Sequence, residues 1–304
     1  MDNVSRFFTQ EHFESYKGLA PAYLAELVAY CLDLVSQLSA SGLSYRFKGG
    51  NSLLILLEDP QRFSIDVDIV TTESKENLIA LVEKIAKNSP RFTSVEIRAP
   101  KTKPWLPMIS FKLFFNSFYQ KPEDSFVMLD AVLEPSPYEG IKKKVKCLDI
   151  YQSEQMVEVP SVSGLMGDKL LTIGPATLGI PLGKNKEAQR LKHIFDVSLL
   201  AKQEHDIQKV KKSLDACMVQ ENKIQNSQFS FDEVFDDTLL FCSQALEYKT
   251  PPQLSEVEPN TYLYEIIKGF SQFKSFLFRI EYTWEMFQDN CNTIIAILKK
   301  IKTL

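Results

Sequence analysis

The segment 44–71 constrains the fold of this chain more than any other part of the sequence. It begins with alternating residues typical of a strand, is interrupted by Gly49 and Gly50, and continues over 51–57 with an apolar run that predicts a short helix. A second alternating segment, Arg62–Val70, predicts another strand. A strand, a glycine turn, a helix and a strand in this order indicate an N-terminal region that mixes helices with a sheet.

Two acidic residues lie on one face of the second predicted strand. Asp66 and Asp68 are two positions apart, so their side chains point to the same side, whereas Ile65, Val67 and Ile69 are expected to face the core. Two carboxylates so close together repel each other unless a cation lies between them. Because hard oxygen ligands suit Mg²⁺, the pair predicts a magnesium site. A solvated strand face is the alternative.

The glycine turn favours the metal site over the solvated face. Gly49 and Gly50 let backbone N–H groups approach an anion at the start of the following helix. A phosphate cradle next to a metal-binding pair is typical of phosphoryl transfer. A further acid, Asp130, lies alone in the apolar segment Phe126–Leu133. It is interpreted as a third metal ligand, as a base for an attacking hydroxyl, or as a capping or edge acid.

The pattern of the chain changes near residue 160. Helical and strand-like periodicity is strongest over 1–42 and 74–88 (helices) and over 92–98, 108–115 and 126–133 (strands). From residue 162 onward the pattern is helical, except for a Gly- and Pro-rich loop over 173–186. We therefore predict an α+β fold, in which a domain over 1–160 contains a mixed sheet flanked by helices and a domain over 161–304 is helical.

Composition excludes several classes of protein. The net charge of −4 excludes a basic field over the whole protein but not a local basic patch. The five cysteines are scattered and form no Cys-x-x-Cys pair, which argues against a disulfide framework or a zinc knuckle and favours a cytoplasmic location. There is no uncharged apolar run of about 18 residues, so we expect no membrane span.

Four sequence blocks resemble the AbiEii/AbiGii toxin branch of the nucleotidyltransferase (DNA polymerase β-like) superfamily, which includes the MenT toxins. Members typically have Gly-Gly-Thr-Ala-Leu, then Arg-x-Ser-x-Asp-hydrophobic-Asp, an Asp-Lys-Leu segment and a block that begins Arg-x-Lys. The similar blocks occur here in family order, as Phe47–Leu53, Arg62–Asp68, Val159–Leu170 and Arg190–Leu200. Two positions depart from the pattern: Asn51 replaces a usual Ser or Thr, and His193 replaces a usual Asp.

The resemblance implies a nucleotidyltransferase-type fold and a set of site residues. Asp66 and Asp68 would hold Mg²⁺, Asp130 would complete the metal site, Lys169 would contact the triphosphate, and Asp196 would be the last functional acid. Lys169 and Asp196 belong to the helical domain, which would contribute them to the cleft. The residues implied to bind the nucleotide are Gly49, Gly50, Asn51, Ser52, Arg62 and Lys169.

The residues by themselves leave other roles open. Lys169 lies on a predicted helix after Ser161, a plausible N-cap, and can also be a solvated helix lysine. Asp196 can form an ion pair with Lys192 four positions earlier on the same helix. Arg62 can form an ion pair that holds the Asp-x-Asp strand, or it can touch phosphate.

The resemblance also implies an activity and partners. An NTP would be attacked at its α-phosphate by an acceptor, often a tRNA 3′ end, and a separate antitoxin would restrain the enzyme, as in toxin–antitoxin or phage-defence systems. The alternatives are transfer to a protein or small molecule, and a non-catalytic nucleotide-binding protein with the same fold. Candidate contacts for RNA are the basic runs Lys142–Lys144 and Lys209–Lys212 and the loop Lys101–Trp105, which adds an aromatic ring.

Overall fold

A computed structural model describes residues 4–16, 20–98, 106–278 and 280–304. The chain divides into two compact units: a sheet unit of Met1–Ser136 with Gly140–Pro160, and a helical unit of Pro137–Glu139 with Ser161–Leu304. The loop 101–105, predicted to contact RNA, lies outside the described residues, as do residues 1–3 and 17–19 of the predicted helical segment 1–42.

The sheet unit contains a five-stranded mixed sheet. Its strands are β1 (Arg46–Lys48), β2 (Asp66–Val70), β3 (Phe92–Arg98), β4 (Met108–Phe115) and β5 (Phe126–Val132). The spatial order is β1-β2-β5-β4-β3; β2 and β5 are parallel, and the other neighbours are antiparallel. Two further strands, β6 (Gly140–Cys147) and β7 (Tyr151–Pro160), form a separate antiparallel pair.

One face of this sheet is the core of the unit. Along β4 and β5, buried residues alternate with half-buried ones, as the two-residue period of a strand requires. The helices of the unit are α1 (Gln10–Glu14), α2 (Ala22–Ala40), α3 (Leu53–Leu56) and α4 (Lys75–Asn88). Helix α2 packs against β2, β5 and β7, and α4 packs against β3. Ser74 starts α4 by accepting the N–H of Asn77 on its side chain.

The helical unit contains six α-helices among its described residues. They are α5 (Val162–Leu171), α6 (Glu187–Leu200), α7 (Ile207–Gln225), α8 (Phe231–Leu246), α9 (Tyr262–Phe273) and α10 (Trp284–Lys302). Helix α5 packs against α6 and α7, and α6 packs against α9 and α10. Within the described ranges, no helix is both long and apolar enough to cross a membrane.

The α+β prediction is confirmed, with corrections at the second strand. The segment predicted as a strand over 62–70 becomes β2 only at Asp66, and the helix predicted over 51–57 is limited to α3. Val67 and Ile69 are buried as predicted, but Ile65 is 38% exposed. Because the β1 ladder ends where Lys48 pairs with Asp68, residues before Asp66 have no partner on that side.

The Gly- and Pro-rich loop between α5 and α6 is held by buried acids of the helical unit. Asp237 accepts the backbone N–H groups of Ala176 and Thr177, each at 2.9 Å. Glu265 of α9 accepts the backbone N–H of Gly183 at 2.9 Å and also forms a buried ion pair of 2.6 Å with Arg190 of α6. These contacts fix a loop that has no regular secondary structure of its own.

Candidate active site

The structure places the three acids predicted for the metal site on one face of the five-stranded sheet. Asp68 of β2 is the partner of Asp130 of β5 in the parallel ladder, and Asp66 is the partner of Met128. Residues paired across neighbouring strands point to the same face, and the strands lie about 4.8 Å apart. Asp68 and Asp130 are half-buried, and Asp66 is exposed. The parallel pairing thus brings together acids that are far apart in the sequence.

The row of side chains continues on both sides of these acids. Lys48 of β1 is the partner of Asp68, and Ser110 of β4 is the partner of Asp130. We call Lys48, Asp68, Asp130 and Ser110 the acid row. The side chain of Asp130 has no hydrogen bond or ion pair with any residue that the structure describes. A half-buried carboxylate loses part of its hydration, so one without a protein partner is available to a ligand.

The glycine turn after β1 packs directly against the acid row. Gly49 has a φ angle of +71°, and a Cβ atom there would lie 1.9 Å from Oδ2 of Asp68. Glycine therefore meets both requirements, the left-handed backbone and the close approach of the carboxylate. At Gly50 a Cβ atom would lie 2.7 Å from Nη2 of Arg62 and 2.9 Å from Oγ of Ser64. Any larger residue in this turn would displace the side chains around it.

Three further residues predicted to bind the nucleotide are buried close to this turn in the sequence: Asn51, Ser52 and Arg62. Ser52 Oγ donates to the carbonyl oxygen of Gly49 at 2.9 Å, and Arg62 Nη1 donates to a backbone carbonyl at 3.3 Å. Asn51 is fully buried and approaches the Cys31 thiol, but neither of its amide atoms has the geometry of a hydrogen bond to a described residue. Such an amide calls for a ligand or an ordered water. Asn51, and not Ser52, retains unused hydrogen-bonding capacity.

In the helical unit, Lys169 of α5 and Asp196 of α6 form a buried ion pair. Nζ of Lys169 lies 2.6 Å from Oδ2 of Asp196, and the two side chains are 3% and 0% exposed. The interpretation of Lys169 as a solvated helix lysine is therefore wrong. Ser161 caps α5 as predicted, since its Oγ accepts the N–H of Gly164. The cap is a local feature, whereas the ion pair depends on the packing of two helices.

Comparison with protein families places these residues in a known context. The sequence model of the family described as nucleotidyl transferase AbiEii toxin, from type IV toxin–antitoxin systems, matches residues 33–268. The chain belongs to this family. It is accordingly a nucleotidyltransferase of the AbiEii type, as the sequence blocks predicted. Each residue predicted to be catalytic lies within the matched range.

One solved structure supports the same fold. The AbiEii-family chain is similar to MenT4, a nucleotidyltransferase toxin from Mycobacterium tuberculosis H37Rv, with a TM-score of 0.57 and 13% identity over 97% of this chain and 99% of that one. An antigenic nucleotidyltransferase-like protein from Paracoccidioides brasiliensis gives a TM-score of 0.40 and 15% identity over 72% of this chain and 94% of the other. A comparison with curated protein sequences gives no match.

AbiEii-type enzymes generally use a divalent metal, and the acid row offers suitable ligands. Asp68 and Asp130 supply hard oxygen atoms on adjacent strands, and Asp130 has no competing partner among the described residues. In the described part of the chain, however, no three His, Cys, Asp or Glu side chains converge as closely as a metal site requires. Mg²⁺ usually takes only one or two protein carboxylates and completes its shell with water and substrate phosphate, and Asp68 and Asp130 are partners on adjacent strands. The donor set therefore fits a divalent cation, with Asp66 the most exposed of the three acids.

Most of the lysines proposed to contact RNA have acidic neighbours. Four of the six in the two clusters lie between 2.6 and 4.0 Å from a carboxylate; the pairs are Lys144–Glu154, Lys209–Glu139, Lys211–Asp215 and Lys212–Glu139. In the antiparallel β6–β7 ladder, Lys142 is the partner of Glu158, whereas Lys143 and Lys144 are the partners of Val157 and Met156. Each cluster therefore attracts RNA less strongly than its lysine count suggests.

Two residues next to the acids of this AbiEii-type site were not predicted. Lys48 belongs to the alternating segment before the glycine turn, but the sequence does not show that it is the partner of Asp68. Cys31 of α2 donates from Sγ to the carbonyl oxygen of Ile65 at 3.0 Å. Burial, and secondly the charge of Asp66, raise the pKa of Cys31 well above its ordinary value, so the thiol remains protonated and holds the segment that enters β2.

Proposed function

We propose that this AbiEii-family enzyme is the toxin of a toxin–antitoxin or phage-defence system and transfers a nucleoside monophosphate from an NTP to a tRNA 3′ end, with Mg²⁺ as cofactor. The observation that carries the proposal is the acid row, in which Asp68 packs against Gly49 and the Asp130 carboxylate has no hydrogen bond or ion pair with a described residue. A half-buried carboxylate that has no side-chain partner among the described residues and lies next to a glycine turn is suited to a metal-bound triphosphate.

The acids have distinct roles in this proposal. Asp66 and Asp68 would hold the metal, and Asp130 would supply a third oxygen ligand to it and accept the proton of the attacking hydroxyl. When bound, the metal neutralises charge on the triphosphate. The hydroxyl oxygen of the acceptor forms a bond to the α-phosphorus while the bond from that phosphorus to the pyrophosphate oxygen breaks. Pyrophosphate leaves with the electron pair of the broken bond.

The remaining residues bind the nucleotide. The Gly49–Gly50 turn supplies backbone N–H groups for phosphate, the buried amide of Asn51 donates a hydrogen bond, and Ser52 and Arg62 keep the turn in place. Lys169 contributes positive charge to the triphosphate, and Asp196 orients its ammonium group through the 2.6 Å ion pair.

Incubation with each radiolabelled NTP tests the activity directly. The reactions contain Mg²⁺ or EDTA, with or without total tRNA, and labelled products are separated on denaturing gels. We expect labelled tRNA that depends on Mg²⁺, on the enzyme and on the three acids. Label on the protein or on a small molecule instead would replace tRNA as the acceptor, and bound NTP without any labelled product would favour the non-catalytic alternative.

Co-expression tests the proposed antitoxin. Expression of the chain alone should arrest growth of a bacterial host, and the product of an adjacent gene should restore it. A variant with Asp68→Asn should not arrest growth although it accumulates to the same level. Growth arrest by this variant would show that toxicity does not arise from the acid row.

A further inference from the structure

The face of the sheet that carries the acids continues beyond them across β5 and β4. The half-buried residues of these strands are on that face, because they alternate with the fully buried core residues. They form a surface next to the acid row, here called the β4–β5 platform and defined by Ser110, Lys112, Phe114, Phe126 and Met128.

The register places each of these residues relative to the acids. Met128 is the partner of both Asp66 on one side and Lys112 on the other, so Lys112 lies two strands from Asp66 in the same row. Phe114 and Phe126 form the next row along the strands. The platform therefore begins at the acids and extends away from them over a continuous surface, without an intervening strand or turn.

The chemistry of the platform is cationic and aromatic. The ammonium of Lys112 lies 4.1 Å from the centre of the Phe126 ring, and the rings of Phe114 and Phe126 meet edge to face at 5.7 Å between centres. Lys112 has no carboxylate partner among the described residues, although Glu96 of β3 is opposite it in the ladder. An unpaired lysine together with aromatic rings is suited to single-stranded nucleic acid, which offers phosphates and bases.

The order of the strands indicates whether the platform contacts the incoming NTP or the acceptor RNA. The glycine turn, proposed to bind the phosphates of the NTP, follows β1, whereas the platform lies on the opposite side of Asp130, on β5 and β4. In phosphoryl transfer the attacking and leaving oxygens are roughly in line on opposite sides of the phosphorus. If pyrophosphate leaves toward β1, the attacking hydroxyl approaches from the side of β4.

We propose that the β4–β5 platform binds the single-stranded 3′ end of the RNA acceptor. Lys112 contacts a phosphate of the acceptor, Phe126 and Phe114 contact its terminal bases, and Ser110 lies beside Asp130, where the terminal hydroxyl reacts. This inference rests on the proposed function, because it needs an RNA acceptor and a triphosphate held at the glycine turn.

Kinetics of two platform variants test the inference. Lys112→Gln removes the charge with little change in size, and Phe126→Leu removes the ring but keeps an apolar side chain. Each should raise the KM for tRNA about tenfold, with kcat at saturating tRNA and the NTP affinity unchanged. The matched control is Lys121→Gln, an exposed lysine of the same unit that lies outside the strands and should behave as wild type. Melting curves show that the variants are folded.

A binding experiment without NTP separates this inference from the proposed function. The probe is a fluorescent single-stranded RNA oligonucleotide with a free 3′ hydroxyl, followed by anisotropy over a range of salt concentrations. Lys112→Gln should weaken binding and reduce the salt slope by about 0.7, the value for one lost phosphate contact. Unchanged RNA binding and tRNA KM in both variants would overturn the platform even if tRNA is labelled, and a loss of NTP affinity would assign it to the incoming nucleotide instead. Absence of labelled tRNA with wild-type enzyme, together with RNA binding that is weakened in Lys112→Gln, would overturn the proposed function and leave the platform as an RNA-binding surface.

Discussion

The two units differ in how the charged side chains of the candidate site are paired. In the helical unit, Lys169–Asp196 and Arg190–Glu265 are buried ion pairs, each with an N–O distance of 2.6 Å. In the sheet unit, the half-buried Asp130 lies beside Asp68, and its carboxylate has no hydrogen bond or ion pair with a described residue. Most of the charge of each buried pair is neutralised within the pair, whereas the Asp130 carboxylate leaves negative charge for a ligand to neutralise.

This difference separates residues that maintain the fold from residues that await a ligand. Removal of one member of a buried pair leaves the other charge without a partner in a medium of low polarity, and the folded state is destabilised. Removal of one acid from the acid row relieves repulsion between carboxylates. Stability and activity should therefore change together at the Lys169–Asp196 pair and separately in the acid row.

The largest expected effect is the loss of transfer on neutralising the acid row. Asp68→Asn and Asp130→Asn should each lower the rate of nucleotidyl transfer roughly a thousandfold, because the metal contributes several kcal/mol to the reaction. The free energy of unfolding, from urea titration, should remain within about 1 kcal/mol of wild type. Asp124→Asn, an exposed acid of the same unit, is the matched control. Near-wild-type turnover in both variants would show that neither acid is needed for transfer, and the proposed difference between the two units would be wrong.

Breaking the Lys169–Asp196 pair should reduce stability as well as activity. Lys169→Ala leaves Asp196 buried without its partner and should lower the free energy of unfolding by about 3–5 kcal/mol. The double variant Lys169→Met with Asp196→Leu should recover most of this stability and still transfer no nucleotide. Recovery of activity in the double variant would show that the pair is only structural.

Asp237 offers a smaller structural effect that should leave the chemistry intact. It accepts the N–H groups of Ala176 and Thr177 and the hydroxyl of Tyr262, the last at 2.6 Å. Asp237→Asn removes charge-assisted hydrogen bonds and should lower stability by about 1–3 kcal/mol. Transfer measured well below the melting temperature should be within a few-fold of wild type. A large loss of transfer would instead give the loop between α5 and α6 a direct role in the reaction.

The smallest expected effect is on the lysine clusters. Because Lys209, Lys211 and Lys212 already have acidic neighbours, reversal of all three to Glu should weaken tRNA binding only a few-fold at moderate salt. The salt slope of binding, measured by anisotropy, should change less per residue than in Lys112→Gln. A larger change in salt slope per residue than in Lys112→Gln would indicate that the RNA contacts the helical unit and not the sheet unit.

Local signals were sufficient for much of the fold and of the candidate site. The caps at Ser161 and Ser74 precede helices, and the burial of Val67 and Ile69 follows from alternation along a strand. The start of β2 was not predictable because strand ends depend on where the partner strands end. Ile65 therefore continues the alternating pattern of the sequence but lies outside the ladder.

The sequence by itself determined which residues carry the chemistry: Asp66 and Asp68 on one face of a strand, Gly49 and Gly50 before a helix, and family blocks in order. These are patterns within a few residues of each other, and backbone geometry converts them directly into local structure. Only the tertiary structure decided that Asp130 lies beside Asp68, because strand pairing joins distant segments through backbone hydrogen bonds that any residue can make. It also decided that Lys169 of α5 is buried in an ion pair with Asp196 of α6. This pairing depends on how the two helices pack against each other.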